Sequence, residues 1–416
     1  MRALFLCDDL NDGCYMAYVN VLGKRPPVCR PSVLLAAAFA ACGIVDGALA
    51  DQPGPTVCAS RVSEAAIRCH VEYLASPELG GRRGPGEQKA AQYVRDHFAC
   101  LGLRPLFGSS YYQPIQGLDP NGSRETVVIG RNVGAWLSGC DPRLKEEAIL
   151  IAAHYDHLGT IDGQVYPGAD DNASGVAMLL EVARVLSESP VPLRRSVLFV
   201  SFDLEEQMLL GSRWFVAHCP VPLKRIRLAV VADLLGRSLG DLPVSMVFVC
   251  GSEHSRQLRA WLRQVRPTGK LEVVRMAADM IGTRSDYGPF RDRRVPFLFF
   301  STGEHADYHT PNDVAERVRC DQVAQISEVI LQTVRLAANG DEAPQWEDAS
   351  DVTLDEAETL HRITGLLLDP QVHYPLNPLQ RTLVGRAERL AAQKRWTSAD
   401  RTWMRRSTQL LLLSVF

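Results

Sequence analysis

The sequence predicts an α/β fold: a three-layer sandwich whose central sheet is mixed and mostly parallel, with helices on both faces, followed by a helical C-terminal extension. Three observations predict it. Short runs rich in Val, Ile and Phe, at Glu147–His154, Ser196–Asp203, Ile226–Asp233, Val244–Cys250 and Val295–Phe300, alternate with amphipathic stretches near 172–188, 209–217, 253–265 and 321–338. Those runs are almost continuously apolar, as strands are when helices cover both their faces. Beyond Gly340 the alternation stops, and helical periodicity takes over.

Taken in order, the first fifty residues read as an export signal. Lys24, Arg25 and Arg30 precede the apolar run Val33 to Val45, and Ala48-Leu49-Ala50 supplies a small-residue cleavage pattern. The expected mature chain therefore starts at Asp51 and is exported, to a periplasm or the extracellular space. A signal-anchored form is the alternative, because Val33 to Ala50 is barely long enough to span a bilayer and contains Asp46; a lipid on Cys42 is another. No other segment reaches 18 uninterrupted apolar residues, so no stable membrane insertion of the mature chain is expected.

From Ser60 the spacing of Ala65, Ala66, Cys69, Tyr73 and Leu74 predicts a helix, and a second covers Glu87 to Leu101. The glycine-rich stretch Pro77 to Gly86 between them lacks the strand and spacing of a nucleotide site and reads as a turn. Residues 51–340 then form the main domain and 341–416 the extension, with helices at 352–368, 379–395 and 398–413. Leu410 to Leu413 is far too short to cross a membrane and reads as a stripe docked on the main domain.

Composition narrows the function. The 416 residues are 46% hydrophobic, enough for a large core. Lys and Arg number 45 against 48 Asp and Glu, so there is no basic field for nucleic acid. Of 11 cysteines, four (Cys7, Cys14, Cys29 and Cys42) precede Ala50, and no C-x-x-C pair occurs. A cysteine metal site is not indicated.

Chemistry concentrates in five places. His154 ends one apolar run, Asp170-Asp171-Asn172 precedes a helix, Glu205-Glu206 follows a second run, Asp233 ends a third, and His309 sits in a late loop. Singly, each has an ordinary explanation: a core histidine, a helix cap, a solvated charge pair, a turn. Together they mark the carboxyl ends of strands, where open sheets of this class bind ligands. Clustered carboxylates in a protected site need cations, and zinc takes these nitrogen and oxygen donors.

The segments Ala153-His-Tyr-Asp-His-Leu-Gly159, Gly168-Ala-Asp-Asp-Asn-Ala-Ser-Gly175, Glu205-Glu206 with Gly211-Ser212, and Asp307-Tyr-His-Thr-Pro-Asn-Asp313 resemble the metal-binding motifs of the M28 family of zinc peptidases. Leu74-Ala-Ser-Pro-Glu-Leu-Gly-Gly-Arg82 and the order of the segments extend the resemblance over about residues 60–338. It implies a two-zinc aminopeptidase acting on peptides with a free N-terminus, through a water activated between the metals. It further implies that Asp170 bridges two zinc ions, with His154 and Asp233 completing one site and Glu206 and His309 the other. Asp156 would turn the His154 ring, and Glu205 would be the general base. Tyr287 would sit where some relatives place an oxyanion donor, a packed aromatic being the alternative, and Asp170-Asp171 would be a cis peptide. Met208 and Leu234 depart from the family pattern, which leaves the shape of the first side-chain pocket open. Within the same fold a glutaminyl cyclase would use one zinc, and a receptor-like ectodomain none. Residues 341–416 lie outside the resemblance and are expected to supply no ligand.

Overall fold

The computed structural model describes residues 61–118, 125–348, 354–393 and 396–412. The proposed export signal and its cleavage pattern lie outside the described residues. The described residues form one compact unit.

The chain enters through helix α1 (Glu64–Leu74), capped by the Ser63 hydroxyl, which accepts from the Ala66 amide at 3.2 Å, and helix α2 (Pro85–Cys100), which has proline at its first position. Strands β1 (Arg104–Pro105), β2 (Tyr112–Leu118) and β3 (Thr126–Leu137) follow as an antiparallel edge. Beyond β4 (Ala148–His154), a small hairpin of β5 (Gly159–Ile161) and β6 (Gln164–Tyr166) leads into α3 (Gly175–Ser187). The chain then alternates: β7 (Ser196–Phe202), α4 (Leu210–Ala217), β8 (Ile226–Ala232), β9 (Met246–Cys250), α5 (Arg256–Leu262), β10 (Glu272–Met276), the short α6 (Ala278–Ile281) and α7 (Tyr287–Asp292), β11 (Phe297–Ser301) and α8 (Cys320–Asn339). The nine-stranded sheet has the order β1-β3-β7-β4-β8-β11-β9-β10, with β2 also on β3. The sequence pattern did not separate β1, β2 and β10, and it did not bound β3. Gly130, Asn132 and Gly134 in β3 are poor strand formers, so pairing with β2 and β7 rather than propensity decides that strand.

Strands β7, β4, β8 and β11 run parallel to one another. His154 stands opposite Phe202 in register and Phe300 opposite Ala232, so the four carboxyl ends lie along one edge. Side chains alternate across the sheet. Ile149, Ile151 and Val230 pack with α1, α2, α3 and α8 on one face. Leu150, Val200 and Val231 face the other way, toward α4 and α7.

That second face is completed by the C-terminal helices α9 (Leu354–Leu368), α10 (Pro378–Ala391) and α11 (Ser398–Leu412), whose Leu360, Ile363, Val384 and Met404 join the same core. Arg401 donates two bonds to the Asp279 carboxylate, at 2.6 and 2.8 Å, and the Glu356 carboxylate accepts from the Ala277 amide at 3.1 Å. The extension is thus part of the third layer, because β9, β10 and β11 would otherwise leave apolar side chains in water. Among the described residues the cysteines Cys69, Cys100, Cys140, Cys219, Cys250 and Cys320 are free thiols, and no helix is long and apolar enough to cross a membrane.

Candidate metal centre

His154, the last residue of β4, points its Nε2 at Asp233 Oδ1 (3.3 Å), just past the end of β8, and at Asp171 Oδ1 (3.4 Å). Its other ring nitrogen lies 3.3 Å from the Asp156 carbonyl. Beyond β7 the chain turns through Leu204, at φ 55°, and presents Glu205 and Glu206 in succession. The Asp156 carboxylate holds that turn, accepting from the Glu205 amide at 3.1 Å and the Glu206 amide at 3.3 Å. Asp156 therefore reaches both the histidine and the glutamate pair.

His309 closes the other side, its Nε2 3.1 Å from Asp171 Oδ2 and 3.2 Å from Glu206 Oε2. His157 adds a further ring nitrogen, with Nδ1 2.8 Å from Glu206 Oε1. Two groups of donor atoms result, His154 with Glu205 and Asp233, and His157 with Asp171 and Glu206, each within 4.8 Å of one another.

The segment before α3 corrects the sequence reading by one residue. Asp171, not Asp170, has its carboxylate between the two groups. Asp170 turns away: its Oδ1 accepts from the Gly236 amide at 2.5 Å and its Oδ2 is 3.5 Å from His305 Nε2. Burial, reinforced by Asp313, pushes the Asp170 carboxyl up to about 8, as suits a group that ties loops together. The cis peptide is likewise Asp171-Asn172 rather than Asp170-Asp171. Asn172 then serves the helix, its Oδ1 accepting from the Gly175 amide and its Nδ2 donating to the Ala232 carbonyl, both at 2.9 Å.

Three further residues hold this segment. The Asp313 carboxylate accepts from the Asp170 and Asp171 amides at 3.0–3.1 Å. Gly168, at φ 59°, lies so close to the Asp171 carbonyl and the His157 ring that a Cβ would sit 2.2 Å from the former and 2.4 Å from the latter. Arg82 is buried beneath the loop and donates to its carbonyls. Asp313 and Arg82 stand inside the segments that carry the family resemblance, so a role for them could have been sought from the sequence. His157 was visible only as the second histidine of His-Tyr-Asp-His.

Tyr287 also departs from expectation. Helix α7 begins at Tyr287 and packs its ring into the core, stacked on Phe297 at 5.2 Å, while its hydroxyl donates to the Gly282 carbonyl. A fully buried phenol bound in this way is not free to meet a developing oxyanion.

The electrostatics are those of a carboxylate cluster. Burial opposes the charge on Asp171, yet His157, His309 and His154 hold its carboxyl well below the ordinary range. Against its own burial, His309 is pulled up to about 10 by Asp171 and Glu206. Burial pushes the Glu205 carboxyl well above the ordinary range against the pull of His154, with Asp286, Asp233 and Glu206 adding to the rise. Two ligands of one tetrahedral zinc lie about 3.3 Å apart, given metal–ligand lengths near 2.0–2.1 Å. The separations of 3.1–3.4 Å among His154, Asp171, Asp233, Glu206 and His309 fit that spacing.

Comparison with known proteins follows the same line. A family model described as Peptidase family M28 matches residues 132–334. Aminopeptidase YwaD of Bacillus subtilis is 27% identical over 210 residues, covering 48% of this chain and 43% of YwaD; the chain thus matches less than half of that relative's length. An aminopeptidase from Aneurinibacillus sp. strain AM-1 superposes with a TM-score of 0.51 at 16% identity, covering 70% of this chain and 97% of that one. A Porphyromonas gingivalis glutaminyl cyclase gives a TM-score of 0.51 at 17% identity, over 66% and 98%. At such identities these structures establish the shared fold and do not choose between the two activities.

Proposed function

The chain belongs to peptidase family M28, and we propose that it is an exported two-zinc aminopeptidase that removes residues from the free amino end of peptides. The observation that carries this reading is the Asp171 carboxylate standing between His154 and His309, with Asp233 and Glu206 beside it. One carboxylate shared by two groups of donors suits a pair of ions, with His154 and Asp233 holding one and Glu206 and His309 the other. Zinc bound there would supply Lewis acidity to the scissile carbonyl and acidify water.

Glu205 takes the proton from the attacking water and returns it to the nitrogen of the leaving amine. Burial raises its carboxyl above the ordinary range, which strengthens it as an acceptor of the water's proton. Asp156 positions the apparatus, fixing the His154 ring from its carbonyl side and the Glu205-Glu206 turn through two backbone amides. Export is supported by the order of charged flank, apolar run and Ala-x-Ala in residues 24–50.

The test is hydrolysis of aminoacyl-arylamides and their N-acetylated counterparts by zinc-loaded protein, with the metal counted. Two zinc ions per chain and cleavage of only the free-amine substrates are expected. One zinc with full cyclisation of N-terminal glutamine would replace this reading by the cyclase, and a folded protein that takes up no zinc would replace it by a binding ectodomain.

A further inference from the structure

The site opens onto a cavity of about 120 Å³ whose far wall is built by the C-terminal helices. On the metal-centre side the lining includes Asp233, Leu234 and Tyr308, and the Tyr308 ring is stacked on His309 at 3.9 Å. From the sheet come Phe248, Cys250, Met276 and Phe299, and from the extension Leu360, Ile363, Leu367, Ala387, Met404 and Leu411. The wall contributed by α9, α10 and α11 is apolar apart from Thr364 and Thr408, and the Thr364 hydroxyl is satisfied by the Leu360 carbonyl at 2.7 Å. The charged lining residues are Asp233 of the metal centre and Arg284 and Glu304, which are paired with each other.

A close-packed core does not leave such a space without cost. For comparison, an apolar cavity of about 150 Å³ accommodates benzene. The occupant must be apolar, and it must be attached to something held at the carboxylates, because the cavity is continuous with Asp233 and with the ring that backs His309.

We propose that α9, α10 and α11 form the floor of the pocket that receives the side chain of the substrate's first residue. The extension then makes the enzyme selective for peptides opening with a long aliphatic or aromatic residue. This rests on the aminopeptidase reading. The family match ends at residue 334, so selectivity is set by a segment in which no described residue is a candidate metal ligand. Leu234 takes part directly, since it lines the cavity beside Asp233.

The experiment compares wild type, Ala387→Phe, which fills the floor, and Leu411→Ala, which deepens it. kcat/KM is measured on alanyl-, leucyl- and phenylalanyl-arylamides. In parallel, the thermal shift given by hexylamine over ethylamine is read on metal-free protein. Ala387→Phe should lower kcat/KM for the leucyl and phenylalanyl substrates at least about tenfold relative to that for the alanyl substrate, and abolish the extra shift from hexylamine. Leu411→Ala should move preference toward the phenylalanyl substrate, and it tests the idea even if Ala387→Phe fails to fold. A wild type that cleaves no arylamide but keeps a hexylamine preference that Ala387→Phe removes would overturn the aminopeptidase reading and leave the pocket standing. Folded variants with wild-type substrate ratios and wild-type amine shifts would overturn the pocket.

Discussion

The Arg82 guanidinium donates to the Asp171 carbonyl at 2.9 Å and, from the same nitrogen, to the Gly168 carbonyl at 2.7 Å. Its other nitrogens reach the carbonyls of Tyr155, Leu74 and Pro167 at 2.6–3.0 Å. A planar fork with five N–H donors is the one side chain able to serve all of these at once. The backbone that aims the central carboxylate is therefore set from behind by a residue that never touches the ligand side.

Arg82→Met should destabilise the protein by on the order of 3 kcal/mol, because it strands buried carbonyls. Arg82→Lys should recover only part of that, having three donors and no fork. Urea unfolding in the presence of a chelator checks it: a loss that disappears when metal is removed would show that Arg82 acts through the metal alone.

Asp170→Asn and Asp171→Asn should separate cleanly despite being neighbours. Asp170→Asn keeps an oxygen for the Gly236 amide and should retain the wild-type zinc content. Asp171→Asn removes the charge shared between the donor groups and should lower both metal content and the thermal midpoint, since metal affinity is folding free energy. Zinc loss in the Asp170 variant alone would reverse the assignment.

The glutamate pair should also fail in two ways. Glu206→Gln removes a charge from the Asp171–His309 group and should weaken zinc binding. Glu205→Gln should keep the metal while kcat falls about 10²–10⁴-fold, the usual worth of a positioned base. Near-normal kcat in a fully metallated Glu205 variant would place the base elsewhere.

His70 gives a stability test away from the site. Its Nδ1 is 2.8 Å from the Tyr93 hydroxyl, and burial, followed by the charge on His97, pushes its pKa down to about 3. The unfolded chain takes up the proton first, near the ordinary value of 6.5. Stability is therefore complete above pH 6.5 and is lost as pH falls, until about pH 3. By pH 5 the loss from this residue is about 2 kcal/mol. His70→Gln should shrink the difference in urea stability between pH 7 and pH 5 by that amount; parallel losses in variant and parent would exclude His70 as the titrating group.

The class of fold and the neighbourhood of the site are legible in the order of the amino acids. Apolar runs ending in His154 and Asp233 lie at the same sheet edge in any parallel arrangement, because a strand's direction fixes which end carries its last residue. Helical periodicity likewise placed α9, α10 and α11 to within a few residues. What sequence could not decide was which member of an adjacent pair faces the centre. Asp170 and Asp171 are chemically identical, and only the backbone at Asp171, with φ −104° and ψ 94° and with Arg82 and Asp313 bonded around it, turns one carboxylate inward and the other toward Gly236. Tyr287 stands between an oxyanion donor and a packed aromatic for the same reason, since a motif match does not say which way a ring points, and the fold packs it against Phe297. The pocket floor was beyond reach for a different reason: helices near residues 360, 387 and 411 meet strands near 248 and 299 only after the whole sheet has formed, and contacts of that range are decided by the packing of layers rather than by any local pattern.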